Sequence, residues 1–356
     1  MKSKVYFIKV NDTDTQDEIK DKLSLLLAKS RIFDILRKDE RVAIKMHFGE
    51  EGNMGFVRPE YVRIACDKII EKGAHPFLSD TNTLYRGRRT NSADHLKLAY
   101  EHGFTQDICG AEVNIPDDSK KENIAEVKAN RAFIKTAKVA KLFLDADALI
   151  GVAHFKGHMM TGFGGALKNI GMGCATREGK LSQHSDISPI VHAANCTACG
   201  ACVEACPADC FAIVNNKAVI DNAKCTGCAT CIAVCNFNAI DVNWWAGGDT
   251  MQEKMAEYAY AVLKSKRKAA FINFATKITK ECDCLAKDDP RIAPDVGILA
   301  SFDPVALDKA SYGLAVIAAG KDIFKESHPL RDGMKQLKHA VKLGLGTLEY
   351  ELIEVD

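Results

Sequence analysis

The sequence of 356 residues has no long apolar run and no excess of charge of either sign. Its longest nearly unbroken apolar stretches, Ala148 to Ala153 and Leu314 to Ala319, are far shorter than the roughly 20 residues that cross a bilayer. Lys and Arg (48) balance Asp and Glu (47), which leaves a formal net charge of +1. We therefore expect no membrane span and no global field that would attract nucleic acid or an anionic membrane.

Proline is scarce, with 9 residues, and glycine, with 25, is at an ordinary level, which excludes a collagen-like chain. An apolar fraction of 47% excludes a disordered chain, and the length predicts two domains or one large domain with an insertion. The first apolar run is cut by Lys9 and followed by Asn11 and Asp12, so we expect no secretory signal and a cytoplasmic location. Fourteen cysteines in such a chain favour metal or redox chemistry over a disulfide scaffold.

Eight of the cysteines form two runs with the same spacing, CxxCxxCxxxC, and the second run repeats every member of the first at one constant offset. In this spacing three cysteines surround one cluster while the fourth leads away to a second cluster. The sequence therefore predicts an internal duplication that holds two 4Fe-4S clusters with crossed ligands. Cluster one would be held by Cys196, Cys199, Cys202 and Cys235, and cluster two by Cys225, Cys228, Cys231 and Cys206.

Zinc is the alternative for these cysteines, since paired CxxC units also make structural zinc sites. Two complete runs, the first followed by Pro207, exceed what a tetrahedral site needs. Residues 190–245 resemble bacterial dicluster ferredoxins, which implies two β-ribbons, two short helices, one-electron transfer at low potential and a redox partner protein. Asn236 stands where that family has a proline, and Cys210 resembles a free cysteine beside a cluster, with ligand exchange on oxidation as the alternative.

The rest of the chain alternates between apolar runs of strand length and helical stretches. The predicted strands are Val5 to Val10, Arg41 to Met46, His75 to Ser79, Ala148 to Ala153 and Ala269 to Phe274, and the predicted helices are Glu18 to Leu36, Pro59 to Glu71, Ser92 to His102 and Met251 to Lys264. This order predicts an α/β fold, a mostly parallel sheet covered by helices. We expect a host domain (1–186 and 247–356) interrupted by an α+β dicluster ferredoxin module (187–246), with Trp244 and Trp245 packing the junction.

Outside the module, the sequence resembles the family known as domain of unknown function 362. The resemblance lies in residues 44–53 (IKMHFGEEGN), 79–90 (SDTNTLYRGRRT), 154–173 (HFKGHMMTGFGGALKNIGMG), 278–284 (ITKECDC) and 301–311 (SFDPVALDKAS). It implies the fold and the cluster content. It implies no substrate, because the reaction of the family is unknown.

A glycine-rich turn follows the strand that ends at Ala153, and the turn leads into a helix predicted from Ala166. Exposed N–H groups at a turn of this kind, and at the start of a helix, attract anions. We therefore expect a small anionic ligand or a metal-bound group here, with a packed loop as the alternative. The candidate anion site is Gly162, Gly164, Gly165 and Lys168, and the candidate catalytic residues are His154, Lys156 and His158.

Two further groups are expected at the same edge of the sheet, because both follow predicted strands. Arg86, Arg88 and Arg89 would clamp the anion, with a solvated turn as the alternative. His47, Glu50 and Glu51 follow the strand before and would line the same cleft.

Cys282 and Cys284 form a CxC pair whose thiols would face the same side of an extended chain. They are candidates for metal binding or for a redox dithiol near the clusters, and the alternative is a pair of buried apolar cysteines. Cys174 is a further candidate for a third site. Asp303 and Pro304 predict the N-cap and first turn of a helix.

The motifs together favour an iron-sulfur oxidoreductase, or an electron-feeding subunit of one, in which single electrons pass between the clusters and a site in the α/β domain. One alternative is a ferredoxin-type carrier whose α/β domain recognises partner proteins. A second is a redox sensor or a cluster-handling protein. A functional ligand in the cleft would favour the first hypothesis.

Overall fold

The computed structural model describes residues 2–184, 188–243 and 250–356. Its strands are Ser3–Lys9 (β1), Arg41–Lys45 (β2), His75–Ser79 (β3), Glu112–Val113 (β4), Ile124–Lys128 (β5), Thr136–Ala140 (β6), Ala148–His154 (β7), Lys156–His158 (β8), Gly162–Gly164 (β9), Ile190–Val191 (β10), Phe211–Val214 (β11), Lys217–Ile220 (β12), Ile240–Asp241 (β13), Ala269–Ala275 (β14), Gly297–Ser301 (β15) and Tyr350–Glu354 (β16).

The helices alternate with the strands of the host domain. Their bounds are Gln16–Ser30 (α1), Pro59–Glu71 (α2), Ser92–Glu101 (α3), Gln106–Cys109 (α4), Lys141–Asp145 (α5), Ala166–Gly171 (α6), Arg177–His184 (α7), Ala201–Glu204 (α8), Thr230–Val234 (α9), Met251–Leu263 (α10), Pro304–Ala319 (α11), Ile323–Ser327 (α12) and Met334–Lys342 (α13). In the parts of the chain that the structure describes, no helix is both long and apolar enough to pass through a membrane.

Among the described residues, eight strands form one central sheet in the order β16-β1-β15-β14-β7-β2-β3-β4. Seven of these strands run in one direction, and β15 is antiparallel to both of its neighbours. The predicted α/β fold with a mostly parallel sheet is confirmed.

Two hydrophobic cores cover the two faces of this sheet, because successive side chains of a strand point to opposite faces. Val42 and Ile44 of β2 lie in the core that contains Leu26 of α1. Ala43, between them, lies in the other core, with Ala259 of α10. The helices therefore sandwich the sheet and leave its carboxyl edge to the loops.

The local signals explain most helix boundaries. Pro59 occupies the first turn of α2, and the Asp303 side chain accepts hydrogen bonds from the first turn of α11, as expected. The helix predicted to run from Glu18 to Leu36 is wrong at its end: α1 stops at Ser30, because Arg31 adopts the left-handed conformation with φ 55°.

The strands before and after the cysteine-rich segment belong to the same sheet, since β14 pairs with β7 in parallel. The described part of that segment, residues 188–243, adds no strand to the central sheet. It contains the ribbons β10–β13 and β11–β12 and the short helices α8 and α9. Trp244 and Trp245, expected at the junction, lie outside the described residues.

The backbone of the cysteine-rich segment repeats along with its sequence. Three pairs of positions, each separated by the same offset as the two cysteine runs, share the left-handed conformation: Ala198 and Gly227, Gly200 and Ala229, and Asp209 and Asn238. A left-handed backbone is unfavourable for alanine, so its recurrence at the same places marks a loop shape that the local structure imposes.

Candidate functional site

A cavity of about 400 Å³ lies where residues from the ends of β2, β3 and β7 meet the loop after β14. This is the carboxyl edge of the parallel strands, where open α/β sheets bind their ligands. Ten of the residues singled out in the sequence line it: His47, Arg89, His154, Lys156, His158, Gly164, Gly165, Lys168, Cys282 and Cys284.

The two thiols of the CxC pair lie beside His158 inside this cavity. One ligand atom from each of His158, Cys282 and Cys284 lies within 4.8 Å of the others. The Lys168 ammonium donates to the Cys282 sulfur at 3.5 Å. Cys282 is only 4% exposed, so these contacts are made with little competition from water.

The two thiols differ in charge. A hydrogen bond from Cys284, the charge of Lys168 and a hydrogen bond from His158 hold the pKa of Cys282 well below its usual range, although burial opposes this. The same hydrogen bond and burial hold the pKa of Cys284 well above its usual range. The Lys168 ammonium therefore favours the thiolate form at Cys282, with Cys284 as the neighbouring thiol.

The hydrogen bonds of His158 fix its tautomer. Two backbone N–H groups, those of Met160 and Thr161, donate to Nδ1 at 3.1 and 3.2 Å, so Nδ1 carries a lone pair. Burial and the charge of Lys168 lower the pKa of His158 to about 4. The ring is neutral at pH 7, and its single proton is on Nε2.

Asp283, the residue between the two cysteines, fixes their loop. It is fully buried, and its carboxylate contacts His154 Nδ1 at 2.8 Å and Lys156 Nζ at 3.0 Å. The other nitrogen of His154 faces the carbonyl oxygen of Thr276 at 3.0 Å. His154 and Lys156, predicted as catalytic candidates, therefore hold the CxC loop on β7 and β8.

A second buried charge network surrounds Asp80, just after β3. Lys45 contacts its carboxylate at 3.0 Å, and Arg89 and His95 lie 3.9 Å from it. Burial raises the pKa of Asp80, but the charge of Lys45 and the neighbouring cations outweigh burial and hold that pKa below the usual range. Sequence reasoning missed Lys45 and His95, because nothing in the local pattern shows which charges a fold will bury.

Lys180 is a further lining residue that sequence reasoning missed. Its ammonium donates to the hydroxyl and carbonyl oxygens of Thr81 and to the carbonyl oxygen of Asn82, which lie at 2.7, 3.1 and 2.5 Å. Burial lowers the pKa of Lys180 to about 7. Its three hydrogen bonds position the loop after β3 against α7.

The predicted anion site at the start of α6 needs correction, because a carboxylate of the chain itself already occupies it. Asp308 of α11 accepts hydrogen bonds from the backbone N–H groups of Ala166 and Leu167 at 2.7 and 2.9 Å. Gly162 is not among the residues that line the cavity and packs against Gly333. The first N–H groups of α6 are therefore paired with Asp308, although Gly164, Gly165 and Lys168 still line the cavity.

The predicted arginine clamp also needs correction, since Arg89 alone of the three lines the cavity. It is buried and pairs with Glu50 at 2.9 Å, while its second nitrogen contacts His47 Nε2 at 2.9 Å. Arg88 pairs at the surface with Glu101 and, at 3.5 Å, with Glu51.

The third arginine belongs to a short connection between the cavity and the cysteine-rich segment. Leu84 lines the cavity and also packs in the hydrophobic cluster of that segment. The Tyr85 hydroxyl donates to the carbonyl oxygen of Cys284 at 2.8 Å. Arg86 donates to the carbonyl oxygen of Asn236 at 2.6 Å, one residue after Cys235. Taken together, these three consecutive residues contact both the cavity and the cysteine-rich segment.

Two small cavities lie inside the cysteine-rich segment, and each gathers cysteines of both runs. One is lined by Cys196, Cys199, Cys202 and Cys235, and the other by Cys206, Cys210, Cys225, Cys228 and Cys231. The Sγ atoms of Cys206 and Cys210 are 3.2 Å apart. In both cavities the fourth residue of one run lies with the first three of the other.

Backbone N–H groups point at the sulfurs of four of these cysteines in a repeated pattern. Gly227 donates to Cys225 at 3.4 Å, as Ala198 does to Cys196 at 3.5 Å. The remaining donors are Cys210 to Cys206 at 3.4 Å, Ala239 to Cys235 at 3.3 Å and, outside the repeat, Ala218 to Cys196 at 3.2 Å. Such donors stabilise thiolates that ligate metal or a cluster.

The other cysteines belong to the packed host domain. Cys66 and Cys109 are buried in the core beside α1 and α2. Cys174 lies in the opposite core, and burial raises its pKa to about 12. It does not line the cavity, so its proposed part in a third site is corrected.

The family model described as "Domain of unknown function (DUF362)" matches residues 42–313. The chain belongs to this family. The match begins in β2, ends in α11 and includes the lining residues from Lys45 to Leu285 together with the whole cysteine-rich segment. No curated protein matches the sequence.

Two solved structures show distant similarity to this DUF362 chain. A protein of Thermotoga maritima is 11% identical with a TM-score of 0.42, and the match covers 88% of this chain and 61% of the other. The lactate racemase apoprotein of Thermoanaerobacterium thermosaccharolyticum is 16% identical with a TM-score of 0.43, over 76% of this chain and 50% of the other. The chain thus spans between half and two thirds of the length of these proteins.

Proposed function

We propose that this protein is an iron-sulfur electron-transfer protein, and specifically an oxidoreductase or an electron-feeding subunit of one. Residues 187–246 would form a module, inserted between host residues 1–186 and 247–356, that holds two 4Fe-4S clusters. The clusters would supply transfer of single electrons at low potential. The site that exchanges these electrons would be the cavity at the edge of the sheet.

The observation that carries the proposal is the repeat of one binding loop in three dimensions. The same N–H donors, the same left-handed positions and the same cysteine spacing recur at one constant offset around two separate groups of thiols. The donors of Ala218 and Ala198 lower the pKa of Cys196, which favours the thiolate form that iron binds. These repeated features support a bound group at each of the two sets of thiols.

The residues of the Leu84 to Arg86 connection support electron exchange with the cavity rather than a carrier that only docks to partners. Leu84 belongs to both regions, and Tyr85 contacts the loop of the CxC pair. The charges around Asp80 and Asp283 are buried at the cavity, where a surface for protein recognition would expose them. Buried ionisable groups of this kind are typical of sites that do chemistry.

A redox partner protein would approach the first group of cysteines. Cys199 is exposed, and Phe237 and Ile213, which line the same small cavity, are 46% and 40% exposed. Large exposed apolar side chains around a thiolate group suit transient docking of another protein. The second group, with Cys225 and Leu181 near one another, faces the host domain.

Metal analysis of anaerobically purified full-length protein tests the proposal. We expect about eight irons and eight acid-labile sulfides per chain, with visible absorbance that bleaches on reduction. Protein that holds only zinc, or a single cluster after complete reconstitution, would overturn it. Small molecules that change the spectrum of the reduced protein would then identify ligands of the cavity.

A further inference from the structure

We infer that Cys282 and Cys284 form a reversible dithiol–disulfide centre, in which the Cys282 thiolate attacks a small disulfide in the cavity and Cys284 resolves the mixed disulfide. The inference rests on the proposed function in taking this cavity as the redox site. Metal and sulfide analysis tests the clusters, whereas peptide chemistry tests the thiol pair, so the failure of one can be told from the failure of the other.

Spacing alone would also allow His158, Cys282 and Cys284 to bind a metal ion. Two observations favour a thiolate without a metal. The first is charge: the Lys168 ammonium lies 3.5 Å from the Cys282 sulfur, and the Lys156 ammonium contacts the adjacent carboxylate of Asp283 at 3.0 Å. A divalent cation at that sulfur would be repelled by both ammonium groups, whereas a thiolate is stabilised by them.

The second observation is the tautomer of His158. A neutral histidine binds metal through the nitrogen that lacks a proton, and its other nitrogen must then carry one. Nδ1 of His158 already accepts hydrogen bonds from Met160 and Thr161, so Nε2 carries the proton. A protonated Nε2 is able to donate to a thiolate, but it cannot accept a metal bond without losing its proton.

The asymmetry of the pair assigns a role to each cysteine. Cys282 accepts a hydrogen bond from the Lys168 ammonium at 3.5 Å, and its sulfur lies within 4.8 Å of ligand atoms of His158 and Cys284, which favours the thiolate at this residue. Cys284 lines the cavity together with Tyr85 and Leu285. Its pKa is held above the usual range, so it keeps its proton. An attacking thiolate beside a protonated second thiol is the arrangement that thiol–disulfide exchange requires.

The reaction balances as two displacements. The Cys282 thiolate attacks one sulfur of a disulfide RSSR, the S–S bond of RSSR breaks, and one RS⁻ leaves. The Cys284 proton passes to that RS⁻, and the resulting Cys284 thiolate attacks the Cys282 sulfur and releases a second RS⁻. The products are one RSH, one RS⁻ and the Cys282–Cys284 disulfide, so RSSR gains the two electrons that the dithiol loses. Reduction of the Cys282–Cys284 disulfide back to one thiolate and one thiol needs two electrons and one proton. A one-electron donor would supply the electrons in two successive steps.

The size and lining of the cavity restrict the substrate to a small disulfide. Its volume is about 400 Å³, and Cys282 lies within it at 4% exposure, out of reach of a disulfide in a folded protein. Four methionines, Met159, Met160, Met172 and Met251, line the cavity together with the lysines. Flexible thioether side chains adapt to varied small ligands.

The test is peptide mapping of full-length protein, purified anaerobically and treated with dipyridyl disulfide. Lys280 and Lys287 bracket both cysteines, so trypsin releases residues 281–287 as one peptide. We expect this peptide to acquire an internal disulfide before any other cysteine reacts, with two pyridinethiones released per chain. Reaction confined to other cysteines, or a mixed disulfide that stays on Cys284, would overturn the inference.

Single substitutions sharpen the result. Cys284→Ser should trap a stable mixed disulfide on Cys282, and Cys282→Ser should slow the reaction of the peptide by at least about tenfold. Lys168→Met should slow attack at pH 7 by roughly three- to tenfold, while Lys29→Met, exposed on α1, should not. Equal rates in Lys168→Met and wild type would contradict the assigned role of the ammonium.

Iron and sulfide contents of all these variants should equal those of wild type, which also reports that the chain is folded. Metal analysis supplies the decisive contrary outcome. An additional metal ion per chain that disappears in Cys282→Ser, and that must be chelated before residues 281–287 react, would overturn the inference in favour of a metal site.

Discussion

The cysteine-rich segment and the cavity of the host domain both gather thiols, but they hold them in different ways. In the segment the thiols sit on short loops and on the short helices α8 and α9, and several residues of its small hydrophobic cluster are themselves cysteines, such as Cys202 and Cys231. In the cavity the thiols of Cys282 and Cys284 are held by Asp283, whose partners lie on β7 and β8 of a large sheet domain. Under the proposed function the first region would be completed by a bound group, whereas the second is organised by ion pairs of the chain itself.

The largest expected effect comes from removing either part of the chain. Loss of the second host part should abolish the fold, whereas loss of the cysteine-rich segment should leave the host domain folded. A fragment of residues 1–186 should not unfold cooperatively, because it lacks β15 and β16, the only partners of β1 in the described sheet, and leaves β7 with an open edge. A chain in which a short linker replaces 190–245 should unfold cooperatively, as measured by circular dichroism on heating. A cooperatively folded fragment 1–186 would show that the two parts of the host are independent.

Within the host domain, Asp283→Asn should cost about 3–5 kcal/mol of unfolding free energy, because it leaves the buried charge of Lys156 unpaired. Asp288→Asn, exposed in the same loop, should change it by less than about 0.5 kcal/mol. Denaturant unfolding measures both. A small effect of Asp283→Asn would show that the loop does not depend on this carboxylate.

The Asp283 carboxylate also predicts that the free energy of unfolding depends on pH in the acid range. Burial opposes ionisation of Asp283, but the charges of His154 and Lys156 hold its pKa below the usual range. A depressed carboxylate pKa contributes stability that is complete above its unfolded value and is lost as the pH falls through the acid range. The difference in unfolding free energy between wild type and Asp283→Asn should therefore be largest at neutral pH and shrink below about pH 4.

Within the cysteine-rich segment, pairs of substitutions test the crossed ligands. Cys206→Ser should remove about four irons, and adding Cys225→Ser should remove no more, since both residues would serve the same cluster. The double variant with Cys206→Ser and Cys196→Ser should instead lose about eight irons in total, because the two residues would serve different clusters. Cys210→Ala is the matched control and should leave the iron content unchanged. The opposite result for the two pairs would show that each run binds its own cluster.

The smallest expected effect concerns pH and the reactivity of Cys282. A thiol with an ordinary pKa reacts about tenfold more slowly for each unit that the pH falls below about 8. Because the pKa of Cys282 lies well below its usual range, alkylation of peptide 281–287 by iodoacetamide should stay nearly constant from pH 8 to pH 6. A tenfold decrease for each unit would mean that Cys282 is an ordinary thiol.

The extent to which each region could be predicted from the sequence follows from the same contrast. A ligand run is local: fixed spacing brings Cys196, Cys199 and Cys202 to one loop, and the second copy of that spacing is visible in the sequence. The sheet was also predictable, because apolar runs such as that of β3 alternate with helical stretches. What lies within one loop or one strand can be inferred from neighbouring residues.

Contacts between distant segments could not be predicted in this way. Asp308 occupies the start of α6 from a helix far along the chain, so the predicted anion site looked open in the sequence. Asp283 separates two candidate cysteines, and its partners His154 and Lys156 were themselves candidates, but nothing in the sequence predicts that these segments contact one another. The three neighbouring arginines diverge to Glu50, Glu101 and Asn236, a division that only the folded chain determines.

One measurement tests most directly the claim that the two regions work together. Protein with fully reduced clusters is mixed anaerobically with dipyridyl disulfide, and the return of visible absorbance is followed in wild type and in Cys282→Ser at equal iron content. The account predicts that wild type is reoxidised at least about tenfold faster, because the thiol pair is the site where the disulfide reacts. Equal rates in the two proteins would contradict it.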